Sequence, residues 1–334
     1  MKKRKLGKFG PEVSAIGIGA MSFSDFYGPT DEAQSHQILT AALDGGITHL
    51  DTANVYGNGC SESAIGTFLS KQGKRKNDLF SIATKAGISK DAHSGKRMFD
   101  NSKAHLQSEL EGSLKRLGVE TVDLFYIHRR DPKIPIEEVT ETLASFQSEG
   151  KIKSFGFSEI APSSLKRASK IHHVGAVQSE YSLSVRSPEL GLLQMTKDLG
   201  TAFVAFSPLG RSLLTDRPHM LDKVQEVLWL RTNPRFQEPN LSFNLRATDP
   251  FRALAAELNT SAAALAIAWL LHKYDHVIPI PGTRFVKHLN EHLDGMRIAL
   301  SEKDIARIEE VLPIGWAHGD RYSPDQWIGP EKYC

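Results

Sequence analysis

Apolar and polar positions along this chain follow two alternating patterns. Short apolar runs are separated by longer stretches in which apolar side chains recur every third or fourth residue. The runs fit strands buried on both faces, and the spaced positions fit one face of a helix. Helical spacing is plainest at Leu106, Leu110, Leu114 and Leu117, behind Ser102 as a cap, so a helix is predicted through residue 117. Ile38, Leu39, Ala42 and Leu43 mark another, capped by Thr30 or Asp31 and reaching about residue 44. Further helices are predicted over 61–70, 136–149, 163–172, 189–199, 250–258, 261–272, 286–293 and 301–311. Gly150 and Gly200 stop two of them, and Ser301 to Asp304 reads as a capped start for the last. Strands are predicted over 15–19, 48–50, 79–85, 122–128, 154–158, 176–178, 202–206 and 277–279. Residues 3–14 read as a polar hairpin serving as a lid. The irregular stretch 207–249, with Pro208, Pro218, Pro234 and Pro239, reads as one long functional loop.

Eight strand–helix alternations imply parallel strands joined by crossover helices. The predicted fold is therefore α/β, a (β/α)8 TIM barrel with an N-terminal β-hairpin and a long loop after the seventh strand. No linker interrupts residues 1–334, so one domain is expected. An open doubly wound sheet would favour Gly-x-Gly-x-x-Gly after the first strand, and Gly17 to Ser22 breaks that pattern.

A barrel carries its chemistry on the loops after the strands. At those positions stand Asp51 and Tyr56, Lys85, His128, Ser158 and Glu159, Gln178, and Phe206 to Pro208. Each alone has a plain structural reading: a solvated strand end, a satisfied histidine, a packed tyrosine. Four together make a chemical unit. A phenol is a weak acid, with a pKa of about 10, unless its anion is stabilised. A nearby ammonium does that, a carboxylate keeps the ammonium charged, and a histidine can hold a carbonyl oxygen.

Composition narrows the class. Net charge is +2, from 41 basic and 39 acidic side chains, which suggests no polyanion or nucleic-acid partner. The two cysteines, Cys60 and Cys334, fit a reducing compartment rather than a disulfide framework. The basic N-terminus lacks an apolar signal region, and no run of about 18 apolar residues exists. A cytoplasmic protein without a membrane partner is expected. No zinc spacing, Walker loop or Gly-x-Ser-x-Gly elbow occurs, and no metal is expected. His172 and His173 read as a helix-end pair, and the basic runs at 2–5 and 71–76 as solvated surface.

The strand ends also resemble the aldo-keto reductases, nicotinamide-dependent carbonyl reductases, across nearly the whole chain. The resemblance rests on Leu50 to Gly57, Ala83-Thr84-Lys85, Ile127-His128-Arg129, Gly156 to Glu159, Gln178 to Tyr181, Phe206 to Arg211 and Ile280 to Thr283. The microbial and plant branch is the most similar, through Phe23, Phe26 and Arg129. The resemblance implies Tyr56 as general acid, Lys85 and Asp51 as its tuning pair, and His128 as the carbonyl-orienting group. Gly19, Ala20 and Met21 would border the coenzyme. Ser158, Glu159 and Gln178 would surround the nicotinamide amide, with Phe206 stacked on the ring. Ser207, Pro208, Leu209 and Arg211 would wrap the pyrophosphate. Gly282, Thr283, Arg284, His288, Glu291 and His292 would take the adenosine end. Two departures stand out: His288 occupies a place where the family often has arginine, and His292 one where it usually has asparagine. NADP(H) is the favoured coenzyme, with NAD(H) or dual use left open.

Substrate contacts are expected from Phe23, Phe26, Tyr27 and Arg129, with Met98, Phe99, Trp316 or Trp327 as further candidates. The resulting expectation is reversible hydride transfer between the coenzyme and a small aldehyde, ketone or alcohol. The alternative is a nicotinamide-binding subunit of a membrane channel with little turnover; a cofactor-free barrel isomerase or lyase is a third reading. A homo-oligomer is left open.

Overall fold

The computed structural model describes residues 2–73, 78–90 and 95–333. An N-terminal hairpin, β1 (Lys3–Lys5) and β2 (Glu12–Ser14), precedes the first barrel strand, β3 (Ile18–Gly19). Then come β4 (His49–Asp51), β5 (Ser81–Ala86), a second hairpin of β6 (Ile88–Lys90) and β7 (Arg97–Phe99), and β8 (Leu124–Ile127). The last strands are β9 (Phe155–Ser158), β10 (Ala176–Glu180), β11 (Ala202–Phe206) and β12 (Val277–Pro279). Eight of these run parallel in the order β3, β4, β5, β8, β9, β10, β11, β12, with helices between. Gly17 N–H donates to the Pro279 carbonyl at 2.9 Å and Gly19 N–H to Pro281 at 3.1 Å, so the two edges meet. A β-carbon at residue 19 would lie 2.7 Å from the Ile280 carbonyl oxygen, which is why glycine closes this seam.

Alternation along the strands sorts the apolar residues into two layers. Leu124, Tyr126, Ala202, Val204 and Ile278 point into the barrel, while Phe125, Ile127, Phe203 and Ala205 pack under the helices. Leu6 and Val13 join the inner group from the hairpin. The hairpin is therefore a floor at the N-terminal end of the strands, not a lid: Lys8 N–H donates to the Gly200 carbonyl at 2.6 Å. Arg4, expected on the surface, is buried there and donates to the carbonyls of Val277 and Leu271. Lys2, Lys3, Lys5 and Lys71 are exposed; Lys74, Arg75 and Lys76 lie outside the described residues, as does Cys334.

Two other boundaries moved. The stretch 207–249 contains helices Leu221–Glu226, Leu228–Arg231 and Asn240–Ala247, anchored by buried Leu230, Phe236 and Leu241. These short helices lack enough turns to show a period in sequence. Gly191, at φ 122°, splits the predicted 189–199 helix, leaving Leu192–Leu199. Helix Glu302–Val311 has the expected start, a reciprocal cap between Ser301 and Asp304. Among the described residues no single helix is long and apolar enough to cross a membrane.

Candidate active site

The register places β4 beside β5 and β5 beside β8, so Asp51, Lys85 and His128 emerge at neighbouring strand ends. Ala83 points into the barrel, and Lys85, two residues on, points the same way. Its ammonium bonds Asp51 Oδ1, donates to the Thr52 carbonyl at 2.7 Å and reaches Tyr56 Oη at 3.4 Å. Lys85 and Asp51 are buried. The other Asp51 oxygen accepts from Gln178 Nε2 at 2.7 Å, so the carboxylate is held from two sides. The Tyr56 ring meets His128 edge-on, with centroids 5.8 Å apart. A tight turn fixes the phenol: Tyr56 N–H donates to Ala53 at 3.1 Å, and Gly57 follows at φ 59°.

Electrostatics follow from burial and these pairs. Desolvation disfavours the Lys85 ammonium, but the Asp51 carboxylate and the Tyr56 oxygen together more than offset it, and the Lys85 pKa lies above its ordinary value. Burial raises the Tyr56 pKa while the Lys85 charge pulls it down, and burial prevails. The expected acidification of the phenol is thus an offset to desolvation rather than a net fall. Burial, helped by the Arg129, Lys85 and Arg97 charges, pushes the His128 pKa well below 6.5, so the imidazole is neutral near pH 7.

One cleft of about 850 Å³ runs from His128 over the ends of β9 to β12 toward helix Val286–Gly295. Of the residues expected at the site, Ala20, Phe23, Lys85 and Glu159 do not line it, nor do the further candidates Met98, Phe99, Trp316 and Trp327. Its far wall suits a dinucleotide. Ser207, Gly210, Arg211 and Ser212 all have positive φ, folding the backbone into a concave turn of the kind that offers N–H groups to phosphate. The N-terminus of helix Val286–Gly295 lies on the same side.

The model of the aldo/keto reductase family matches residues 15–313. The chain belongs to the aldo/keto reductase family. It is an oxidoreductase of that family. It is 35% identical to an aldo-keto reductase of Schizosaccharomyces pombe named yakc and NADP(+), over 96% of this chain and 94% of that one. It is 37% identical to a probable aldo-keto reductase 1 of Glycine max, over 95% and 91%. Among solved structures it is similar to the glycerol dehydrogenase AKR11B4 of Gluconobacter oxydans. That match has a TM-score of 0.81 and 28% identity, and covers 96% of this chain and 98% of that one.

The exceptions in this aldo-keto reductase have physical causes. The short 3-10 turn Ala20–Phe23 rotates Phe23 into the core, where it is 4% exposed, so it is no substrate contact. Ala20 is buried, and its carbonyl accepts from Ser61 Oγ at 2.8 Å rather than bordering a coenzyme. Glu159, at φ 58°, turns its carboxylate onto Arg321 and accepts from the Glu180 N–H at 2.9 Å, so it does not face the nicotinamide position. Arg211 lines the cleft, yet its guanidinium is committed to Glu180 at 2.6 and 2.7 Å. Only its backbone is free to meet a phosphate. Near helix Val286–Gly295, where adenosine was expected, Arg284 donates to the Pro29 carbonyl at 2.6 Å, and burial with the nearby His288 pushes the His292 pKa to about 3.

Several lining residues went unread in the sequence: Arg97, His219, Trp229, Tyr322 and Gln326. Arg97 comes from the second hairpin, whose other candidates, Met98 and Phe99, do not line the cleft. Tyr322 and Gln326 take the part expected of the tail tryptophans. Trp316 instead donates to the Leu183 carbonyl at 2.8 Å, and Trp327 to Asp320 at 2.7 Å. Glu331 anchors the same tail to Arg130 and to the Ala161 N–H.

Proposed function

We propose that this chain, as one barrel domain, catalyses the reversible NADP(H)-dependent reduction of aldehydes and ketones to alcohols. The observation that carries this reading is a single ammonium, Lys85, shared between Asp51 and the Tyr56 phenol in a cleft that His128 also lines. The bound nicotinamide supplies the hydride. Neutral His128 holds the substrate oxygen by a hydrogen bond. Tyr56 gives its proton to that oxygen, and Lys85 stabilises the phenolate left behind. Asp51 keeps Lys85 charged inside the barrel, and Gln178 fixes Asp51. In the alcohol direction the phenolate takes the proton back.

Ser158 and Gln178 would hold the nicotinamide amide, with Phe206 against the ring. Ser207, Pro208, Leu209 and the Arg211 backbone would hold the pyrophosphate. Gly282, Thr283, Arg284, Lys287 and His288 would take the adenosine end. NADP(H) is preferred over NAD(H), supported by the yeast relative's name and by the Arg284, Lys287 and His288 side chains along the cleft. The relatives' names, reductase and dehydrogenase, favour turnover over a channel-subunit role. The exposed free thiol of Cys60 and the small cysteine count support a cytoplasmic setting.

Fluorescence titration with NADPH and NADH, followed by turnover of 4-nitrobenzaldehyde, tests the proposal. NADPH binding with aldehyde reduction is expected. Coenzyme binding without turnover of an aldehyde, ketone and alcohol panel would turn the reading toward a regulatory role.

A further inference from the structure

Among the described residues, most of the buried cations in or behind the cleft wall have an acidic partner. Lys85 has Asp51, Arg211 has Glu180, Arg321 has Glu159 and Glu180, and Arg130 has Glu331. Of these buried cations Arg129 alone forms no ion pair with a described residue; the exposed Arg97 forms none either, as is true of Arg217, Arg284 and Lys287 elsewhere along the cleft. Arg129 follows His128 at the end of β8 and is 8% exposed. Its Nη1 donates to the His128 carbonyl at 2.6 Å and to Ser158 Oγ at 3.0 Å. Its Nε is buried with no hydrogen-bond partner among the described residues. Arg97 stands on β7 with its guanidinium 5.1 Å over the Phe99 ring, and lines the same cleft.

A buried guanidinium without a counter-charge is costly unless something else completes it. Glu159, a carboxylate that feels the Arg129 charge, is already bound by Arg321. The coenzyme's phosphates do not serve either. Their concave turn and helix N-terminus follow β11 and β12, across the barrel from β5 and β8 in the strand order. Both arginines line the cleft together with His128, and Arg129 is bonded to the His128 carbonyl.

Resting on the carbonyl-reductase reading, we propose that Arg129 and Arg97 form a subsite for an oxyanion group, carboxylate or phosphate, carried by the carbonyl substrate. The planar guanidinium fork matches either group. Apolar rings in the same cleft, Phe26 and Trp229 at 5.2 Å between centroids, accommodate the uncharged body. The substrate class is then short oxo-acids, aromatic aldehyde acids or phosphorylated aldehydes rather than neutral carbonyls.

The test compares kcat/KM for 4-carboxybenzaldehyde with its neutral analogue methyl 4-formylbenzoate, and glyceraldehyde 3-phosphate with glyceraldehyde. A preference of at least about tenfold for the charged member of one pair, carried by KM, is expected. The pair showing it distinguishes carboxylate from phosphate. Arg97→Gln and Arg129→Gln should each shrink that ratio several-fold, and Arg97→Lys should keep most of it. Calorimetry with the enzyme and NADP+ gives a second readout: 4-(hydroxymethyl)benzoate should bind at least about tenfold tighter than benzyl alcohol. Turnover of both pairs with ratios near one, or a preference that survives both glutamine variants, overturns the subsite. No turnover of any aldehyde, with the calorimetric preference intact, overturns the reductase reading and leaves the subsite standing.

Discussion

At the His128 end of the cleft, Asp51, Lys85 and His128 come from barrel strand ends and the Lys85 and Asp51 charges are buried and paired, whereas at the end expected to take adenosine the side chains come from loops and one helix surface. Lys85 and Asp51 are almost wholly enclosed. Lys287 is exposed, and Arg284, His288 and Glu291 are half-buried. The first set is placed by sheet register, which cannot shift by one residue without turning each strand inside out. The second is placed by flexible stems over solvent, where a charge is screened and a changed partner costs little. Replacing a group in the first set should therefore remove function and stability, while replacing one in the second should tune selectivity.

The largest effect is expected for Lys85→Met. It leaves Asp51 buried without its cation, at a cost of about 3–5 kcal/mol, and deprives the phenol of its charge partner. Chemical denaturation should show that loss, and turnover should vanish. Normal stability with normal turnover would mean that the strand-end charges are no more coupled than surface ones.

His292 sharpens the comparison, because it is the one fully enclosed ionisable group at the adenosine end among those expected there. Its pKa is near 3 when folded and about 6.5 when unfolded, so protonation favours unfolding. The associated stability is full above pH 6.5 and is lost as pH falls toward 3. His292→Asn should lose about 3 kcal/mol less than the wild type between pH 7 and pH 4 by denaturant titration. Equal losses would show that His292 does not titrate in this window.

The smallest effect belongs to the helix surface. His288→Arg should raise the NADPH-to-NADH preference several-fold, since a guanidinium fork binds a phosphate better than a neutral imidazole. An unchanged ratio of coenzyme dissociation constants would mean that Arg284 or Lys287 already holds the 2′-phosphate.

How far the sequence could be read follows the same division. Asp51, Lys85, His128, Ser158 and Gln178 were legible because each closes an apolar run, and parallel strands bring run ends to one rim. Phe23 misled because a 3-10 turn of four residues carries no periodic signal to say which way its ring points. Glu159 and Arg211 misled because their partners, Arg321 and Glu180, lie 162 and 31 residues away and depend on tertiary packing. Arg97, Tyr322 and Gln326 reach the cleft through a hairpin and a tail whose docking no local pattern announces.

Proton transfer from Tyr56 is the step on which the account turns. The decisive measurement is NADPH binding and 4-nitrobenzaldehyde turnover on the same preparation of Tyr56→Phe. Binding should stay within about twofold of the wild type while turnover falls by about a thousandfold, the range a positioned acid supplies. Turnover near the wild-type rate, with coenzyme bound, would contradict the account.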